Sequence, residues 1–230
     1  MKKTALLIVG FFFFITQIVA QEKKTFVIKA GEVITETIPL NEIYAYPAFA
    51  KAMVHFRSGE VSQGMLNYNI LTSEMDFIAP AGDTMALADE PLVKFIAIGK
   101  DTFFFNEGYF KLISTSNQFK LGKRVLFATA KIEKTGAYDQ PMPAGIDTYS
   151  GFSNGNHVTK LVVKQNITLV KETAYYFGDK NNEFLPANRK NLMRSYSKQE
   201  KNLQEYLKNN AVNFSKEDDL MKIVQYLQRL

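Results

Sequence analysis

The sequence predicts a mainly β protein, an antiparallel meander that forms a roll, a barrel or a sandwich and is followed by a short C-terminal helical hairpin. Seven short runs rich in β-branched and aromatic residues lie between positions 53 and 114, separated by turn signals. The chain holds 19 Phe and 11 Tyr but no Trp, a content that suits half-buried strands. After Pro186 the apolar period changes from that of strands to that of helices. We therefore expect an antiparallel β domain over residues 21–186 and a helical segment over residues 187–230.

The first twenty residues have the pattern of a secretory signal peptide. Lys2 and Lys3 precede an apolar run from Ala5 to Val19, and Ala20 ends a small-residue cleavage site. The run is too short and too interrupted by polar residues to predict a membrane span. We expect residues 1–20 to be removed and the mature chain to be exported, either periplasmic or secreted, with no stable membrane span.

The seven central strands are predicted by alternation and by the turns between them. Ser58-Gly59 and Pro80-Ala81-Gly82-Asp83 are typical turns, because Gly supplies the positive φ that tight turns need. Side chains alternate between the two faces of a strand, so Val54 and Phe56 are expected to face the core and His55 to face away. The predicted strands cover residues 53–57, 61–69, 74–78, 84–88, 92–98, 101–105 and 109–113.

Further strands are predicted on both sides of this region. The first two are expected to pair as a hairpin around Ala30-Gly31. The third is long, and its β-branched and aromatic content favours a strand over a helix. These flanking strands cover residues 25–29, 32–38, 123–134, 161–164, 167–177 and 183–186.

Two helices are predicted after Pro186. Ser197 and Ser215 each stand three residues before a carboxylate, Glu200 and Asp218, which is the capping-box pattern of a helix start. Each start is followed by an apolar stripe at helical spacing, which predicts docking on the sheet. The stripes are Leu203, Tyr206 and Leu207 in the first helix and Leu220, Ile223, Val224 and Leu227 in the second.

Residues 135–157 predict a long loop, because they are rich in Gly, Pro, Ser and Asn and show no periodicity. A loop of this length inside a compact domain is usually functional or disordered. Its aromatic residues either fold back on the sheet or meet a ligand. The candidate ligand-binding residues are Tyr138, Tyr149, Phe152 and His157.

Composition excludes several kinds of chemistry. The chain has no Cys, so disulfides, thiol catalysis and Cys-ligated zinc are absent. His55 and His157 are the two histidines and form no metal-binding motif, so we expect no metal and no cofactor. The chain carries 28 Lys and Arg against 23 Asp and Glu, and two of the Lys lie in the leader, which leaves a mature net charge of +3. Such a mild and scattered charge does not predict nucleic-acid binding.

Two groups of residues are candidates for catalysis. Glu74 and Asp76 stand two apart on a predicted strand, which places their carboxyl groups roughly 6 to 7 Å apart on one face, within the range that glycoside hydrolases use. Alternating charge is also the ordinary outward face of an antiparallel strand. Ser153, between Gly151 and Gly155, matches the spacing of a nucleophile elbow but lacks its strand-to-helix setting.

Three segments carry a resemblance to known proteins. Residues 64–78 (GMLNYNILTSEMDFI), 82–88 (GDTMALA) and 184–192 (FLPANRKNL) together resemble uncharacterised exported β-rich proteins of Gram-negative bacteria. The resemblance spans most of the mature chain. It implies a role in the cell envelope and implies no activity or site residues.

The sequence therefore favours a non-enzymatic binding or protein-interaction module of the envelope, which uses the 135–157 loop and one sheet face to hold another envelope protein or a small ligand. Two alternatives stay open. One is a hydrolase that works with Glu74 and Asp76 on an envelope or extracellular substrate. The other is a small outer-membrane barrel, although the amphipathic C-terminal helices and the short strands argue against it.

Overall fold

The computed structural model describes residues 23–116, 119–135, 141–143, 162–197 and 200–229. The strands are β1 Lys24–Ile28, β2 Ala50–Phe56, β3 Val61–Asn69, β4 Glu74–Ile78, β5 Thr84–Ala86, β6 Val93–Ile98, β7 Asp101–Phe105, β8 Tyr109–Ser116, β9 Phe119–Thr135, β10 Pro141–Pro143, β11 Asn166–Gly178 and β12 Phe184–Pro186. The helices are α1 Ile34–Thr37, α2 Leu40–Ile43, α3 Arg189–Ser195, α4 Glu200–Asn209 and α5 Glu217–Leu227, and a 3-10 turn spans Glu90–Leu92.

These strands join in one antiparallel sheet, so the predicted mainly β class is confirmed. The sheet order is β1-β11-β9-β8-β7-β6-β2-β3-β4-β5, with β10 beside β9 and β12 beside β11. The sheet is open, and β1 and β5 are the ends of this path. β6 pairs with β2 and not with β5, so the connection between β5 and β6 passes three strands before the meander resumes.

All seven central strands form within a few residues of their predicted bounds. The turns between them use glycine as predicted: Gly59 and Gly82 have φ of 94° and 93°. The long strand predicted over residues 123–134 is also confirmed and is longer, because β9 begins at Phe119. The strands predicted over 167–177 and 183–186 are β11 and β12.

The predicted hairpin of residues 25–29 with 32–38 is wrong. β1 pairs with β11, over 100 residues away, and not with the residues that follow it. Residues Ile34–Thr37 form α1, because Ile34 and Ile38 stand one helical turn apart and are both buried. The predicted strand over residues 161–164 is reduced to a bridge between Val162 and Val33.

The sheet curls so that β3 faces β9 across its interior. The Tyr68 hydroxyl on β3 donates to the Val125 carbonyl on β9 at 3.2 Å, although four strands separate β3 from β9 in the sheet. The enclosed face, here called the inner face, carries the first core, which includes Val54, Leu66, Ile96 and Phe103. The opposite, outer face carries the residues that alternate with these.

A second core lies under the C-terminal helices. Phe119, Leu121, Tyr175 and Phe177 lie at one end of the β9–β11 hairpin and pack against the helices, while the other end of the same hairpin belongs to the first core. The predicted helical stripes dock there as expected, and their buried members are Leu203, Leu220, Ile223 and Val224.

Two details of the helical segment differ from the prediction. α3 precedes the two predicted helices, and its N-cap Asn188 accepts a hydrogen bond from the Asn191 amide. α5 starts after Lys216 without a side-chain cap, so the capping box predicted at Ser215 does not form. A carboxylate near the start of α5, that of Asp219, accepts from the Asn213 amide at 3.0 Å.

Among the helices of the described residues, none combines the length and the apolar character that a membrane crossing requires. The predicted leader, residues 1–20, lies outside the described residues. Of the predicted loop 135–157, Thr135 belongs to β9 and Pro141–Pro143 form β10, which pairs with β9.

Candidate functional site

The predicted loop residues are not placed by the structure. Tyr138, Tyr149, Phe152 and His157 lie outside the described residues, as does Ser153. Their proposed part in ligand binding therefore stays a prediction. His55 is described: it lies on β2 and stacks on Phe95 of the neighbouring β6, with ring centroids 4.1 Å apart.

Glu74 and Asp76 lie on β4 as predicted, but Asp76 is buried. Its side chain is part of a hydrogen-bonded group in which Oδ2 accepts from the Tyr44 hydroxyl and from Asn69 Nδ2, both at 2.9 Å. Asn69 is itself held, because its Oδ1 accepts from the Leu71 amide at 3.1 Å. These contacts fasten the segment before β2 to the turn after β3. The catalytic role suggested for the pair stays a prediction.

Burial makes Asp76 a weak acid. Desolvation, with a smaller contribution from the nearby Glu74, raises the pKa of this carboxyl to about 6. The hydrogen bonds from Asn69 and Tyr44 favour the charged form and act in the opposite direction. Desolvation raises the pKa by more than the two hydrogen bonds lower it, so Asp76 takes up a proton in mildly acidic solution.

Glu90 is a second perturbed carboxyl, which the sequence analysis missed. It lies in the connection between β5 and β6, and desolvation raises its pKa to about 7, against a lowering influence from Tyr109. The Tyr109 hydroxyl and Glu90 Oε1 are both buried, and neither has a hydrogen-bond partner of good geometry among the described residues. No group of acidic or histidine side chains in the described part of the chain is arranged to hold a metal ion.

A cavity of about 940 Å³ lies on β2, β3, β4 and β6. This volume lies within the range of small-molecule sites, which run from about 300 to 1,000 Å³. Its lining is mainly apolar and draws on both faces of the sheet. Val54, Leu66 and Phe77 belong to the core of the inner face, whereas Met53 and Met65 alternate with them on the outer face. A mainly apolar lining with few polar groups is the usual form of a ligand site.

Three neighbouring strands bring the exposed part of this lining together. Lys51 of β2 pairs with Met65 of β3, and Met53 pairs with Gln63 on one side and with Ala97 of β6 on the other. Directly paired residues share a face of the sheet, so these five side chains form one patch on the outer face. We call them the outer patch. The side chains of Met53 and Met65 are 41% and 40% exposed.

The charge of the cavity lining is simple. Among the described residues that line it, Lys51 is the one charged residue, Ser62 and Gln63 are the polar ones, and the others are apolar or glycine. Lys51 forms no ion pair with any described residue. The outer-face positions of β2, β3, β6 and β7 hold no acidic side chain among the described residues, whereas those of β4 hold Glu74 and Asp76, which do not line the cavity. The described lining is therefore mainly apolar with one unpaired positive charge.

An aromatic row extends the outer face beyond the cavity. Phe95 lies 6.3 Å from Phe104, and Phe104 lies 6.3 Å from Phe184, measured between ring centroids. Phe184 stacks on Phe110 at 4.5 Å. Lys120 Nζ lies 5.4 Å from the centre of the Phe104 ring.

A second cavity of about 470 Å³ lies where α3 meets β9 and β11. Asp179, Glu183 and Arg194 all line it, so it presents charges of both signs. It is smaller than the first cavity, and its mixed charges do not favour one class of ligand.

Two methionines of the outer patch stand out in the sequence by their position in the strands. Met53 and Met65 fall at positions that alternate with core residues, where polar side chains are expected. Apolar residues at such positions mark a binding face. The contribution of Ala97 on β6 to this patch could not be predicted from the sequence, because β6 pairs with β2 through a long-range crossover.

Comparison with protein-family models, with curated proteins and with solved structures found no match to this chain.

Proposed function

We propose that this protein is an exported, non-enzymatic binding module of the cell envelope that holds a ligand with an extended apolar part in the cavity on β2, β3, β4 and β6. The observation that carries the proposal is the cavity itself, about 940 Å³ with a mainly apolar lining. Burial of apolar surface supplies the affinity of such sites, while a few polar groups orient the ligand.

The composition of the outer patch supports binding. Methionine side chains are flexible and polarizable, so they adapt to ligands of different shape. Met53 and Met65 leave their apolar surface open to solvent, which costs free energy that a bound ligand would recover. The perturbed carboxyls of Asp76 and Glu90 do not line this cavity, so the proposal needs no catalytic group.

The experiment is a titration of the mature chain with the neutral fluorescent probe N-phenyl-1-naphthylamine. We expect saturable enhancement of its fluorescence by the wild-type chain. Ala97→Trp adds a large side chain to the half-exposed wall of the cavity and should weaken binding at least tenfold, because it occupies the ligand's volume.

Val27→Trp is the matched control, because Val27 is 63% exposed on the edge strand β1 and lies outside the cavity. It adds the same indole ring and should leave probe binding unchanged. The proposal is wrong if the wild-type chain does not bind the probe, or if both variants bind it as the wild type does.

A further inference from the structure

We infer that the ligand is a single-chain anionic amphiphile, an apolar tail with one acidic head group, and that Lys51 pairs with the head group. This inference rests on the proposed function and adds the chemical class of the ligand. It combines three features of the outer patch: an apolar surface at Met53, Met65 and Ala97, one cation that forms no ion pair with any described residue, and no acidic member.

Lys51 has no acidic partner among the described residues. An exposed lysine on a sheet is commonly placed near an acidic residue on a neighbouring strand, where the two charges stabilise each other. Lys51 instead stands opposite Met65, and the strands on either side of β2 offer no acidic side chain on this face. An ammonium group beside an apolar wall favours a carboxylate or similar anion, because a charge-assisted hydrogen bond is stronger where water is partly excluded.

The shape of lysine suits this role. Its four-carbon stem can lie along apolar surface while the ammonium stays at the solvent boundary. A ligand whose tail contacts Met53 and Met65 would therefore place its head group at the mouth of the cavity, within reach of Lys51. A cationic head group at the same place would meet repulsion, and a neutral one would leave the ammonium unpaired.

Two further cations lie on the outer face beyond the cavity. Lys120 lies over the Phe104 ring and Arg124 over the Phe110 ring, at 5.4 and 5.7 Å from the ring centres. Like charges of this kind raise the local concentration of anions near a cleft. They add attraction for an anion without contacting it in the cavity.

The experiment compares three probes with the same tail: dodecanoate, dodecanol and dodecyltrimethylammonium, each below its micelle concentration and titrated by calorimetry. We expect the wild-type chain to bind dodecanoate at least tenfold more tightly than dodecyltrimethylammonium. Lys51→Met should remove most of this preference while the tail still binds, and Lys51→Glu should reverse it.

Lys190→Glu is the matched control. Lys190 is exposed on α3 and lies outside the cavity, and its replacement changes the net charge by the same amount as Lys51→Glu. It should leave the order of the three affinities unchanged. A loss of the preference in Lys190→Glu as well would assign the effect to net charge and overturn the role of Lys51.

The outcomes separate the two proposals. If none of the three probes binds, the proposed function fails. If all three bind the wild-type chain equally and Ala97→Trp blocks them, the proposed function stands and the anionic head group is wrong. Lys51-dependent co-sedimentation with phosphatidylglycerol vesicles, without binding of free dodecanoate, would assign Lys51 to a membrane surface and overturn the single-chain ligand.

Discussion

At the scale of single residues, Asp76 and Glu90 are carboxyl groups that folding removes from water. Asp76 is 1% exposed, and two donors reach one of its carboxylate oxygens while the other oxygen has no hydrogen-bond partner in the described structure. A buried oxygen without a partner favours the protonated carboxyl. These two residues therefore make the stability of the fold sensitive to pH.

We expect the free energy of unfolding to fall as the pH rises from about 4 to 7. Folding raises the pKa of Asp76 from 3.8 to about 6 and that of Glu90 from 4.5 to about 7, so their contributions are complete below the unfolded values and are lost as the pH rises through the folded ones. The shift of Asp76 alone corresponds to about 3 kcal/mol at most. Urea unfolding followed by circular dichroism at several pH values measures this slope.

Two features of the chain sharpen this test. The carboxyls of Glu42, Asp101 and Asp219 have lowered pKa values, so their stabilising contributions are lost only as the pH falls below the usual range of carboxyls. Asp76→Asn should flatten the slope between about pH 4 and 7, whereas Glu205→Gln on the exposed side of α4 should not. A slope that is the same in both variants would contradict the prediction.

At the scale of elements, β12 pairs with β11, and its Phe184 ring packs on the outer face against two glycines. A Cβ at Gly122 would lie 2.7 Å from Phe184 Cε1, and one at Gly178 would lie 2.6 Å from the same atom. Phe184 is 7% exposed and stacks on Phe110. Because Gly122 on β9 and Gly178 on β11 have no side chain, the Phe184 ring fits against the backbone of both strands.

We expect Gly122→Ala to destabilise the protein by about 1 to 3 kcal/mol, because overpacking displaces a well-buried ring. Urea unfolding measures the change. The double variant Gly122→Ala with Phe184→Ala should lose less than the sum of the two single variants, since the added methyl then occupies the space of the removed ring. Strict additivity would show that the methyl group and the ring do not compete.

At the scale of the whole molecule, β9 and β11 join the two cores. Phe127 and Leu169 belong to the first core, and Leu121 and Phe177, further along the same strands, belong to the second. Because β9 and β11 contribute to both cores, disruption of one core should destabilise the other. We expect thermal unfolding of the described fold to be a single cooperative transition.

A matched pair of substitutions tests this expectation. Ile96 in the first core and Ile223 in the second are both 0% exposed. Each change to Ala should cost about 2 to 5 kcal/mol and lower the midpoint of the same transition, by roughly 2 to 4 °C per kcal/mol for a chain of this size. Two separate calorimetric transitions, each sensitive to one variant only, would contradict a shared unit.

The elements that sequence analysis predicted correctly are those that local patterns specify. The strands from β2 to β8 follow from alternation and from turn glycines such as Gly59 and Gly82, and the stripe at Leu220, Ile223 and Val224 follows from helical spacing. Residues 32–38 show the limit of the method, because β-branched residues predict a strand there, whereas burial of Ile34 and Ile38 on one side stabilises a helix.

The sequence by itself determined the fold class and most of the strands and helices, since each depends on the chemistry of a few neighbouring residues. Tertiary structure alone decided that β1 pairs with β11, that β6 lies beside β2, that Asp76 is buried, and that Lys51 stands unpaired beside Met65. The physical reason is that strand pairing and burial depend on residues far apart in the chain. The periodicity of one strand carries no information on which strand will lie beside it.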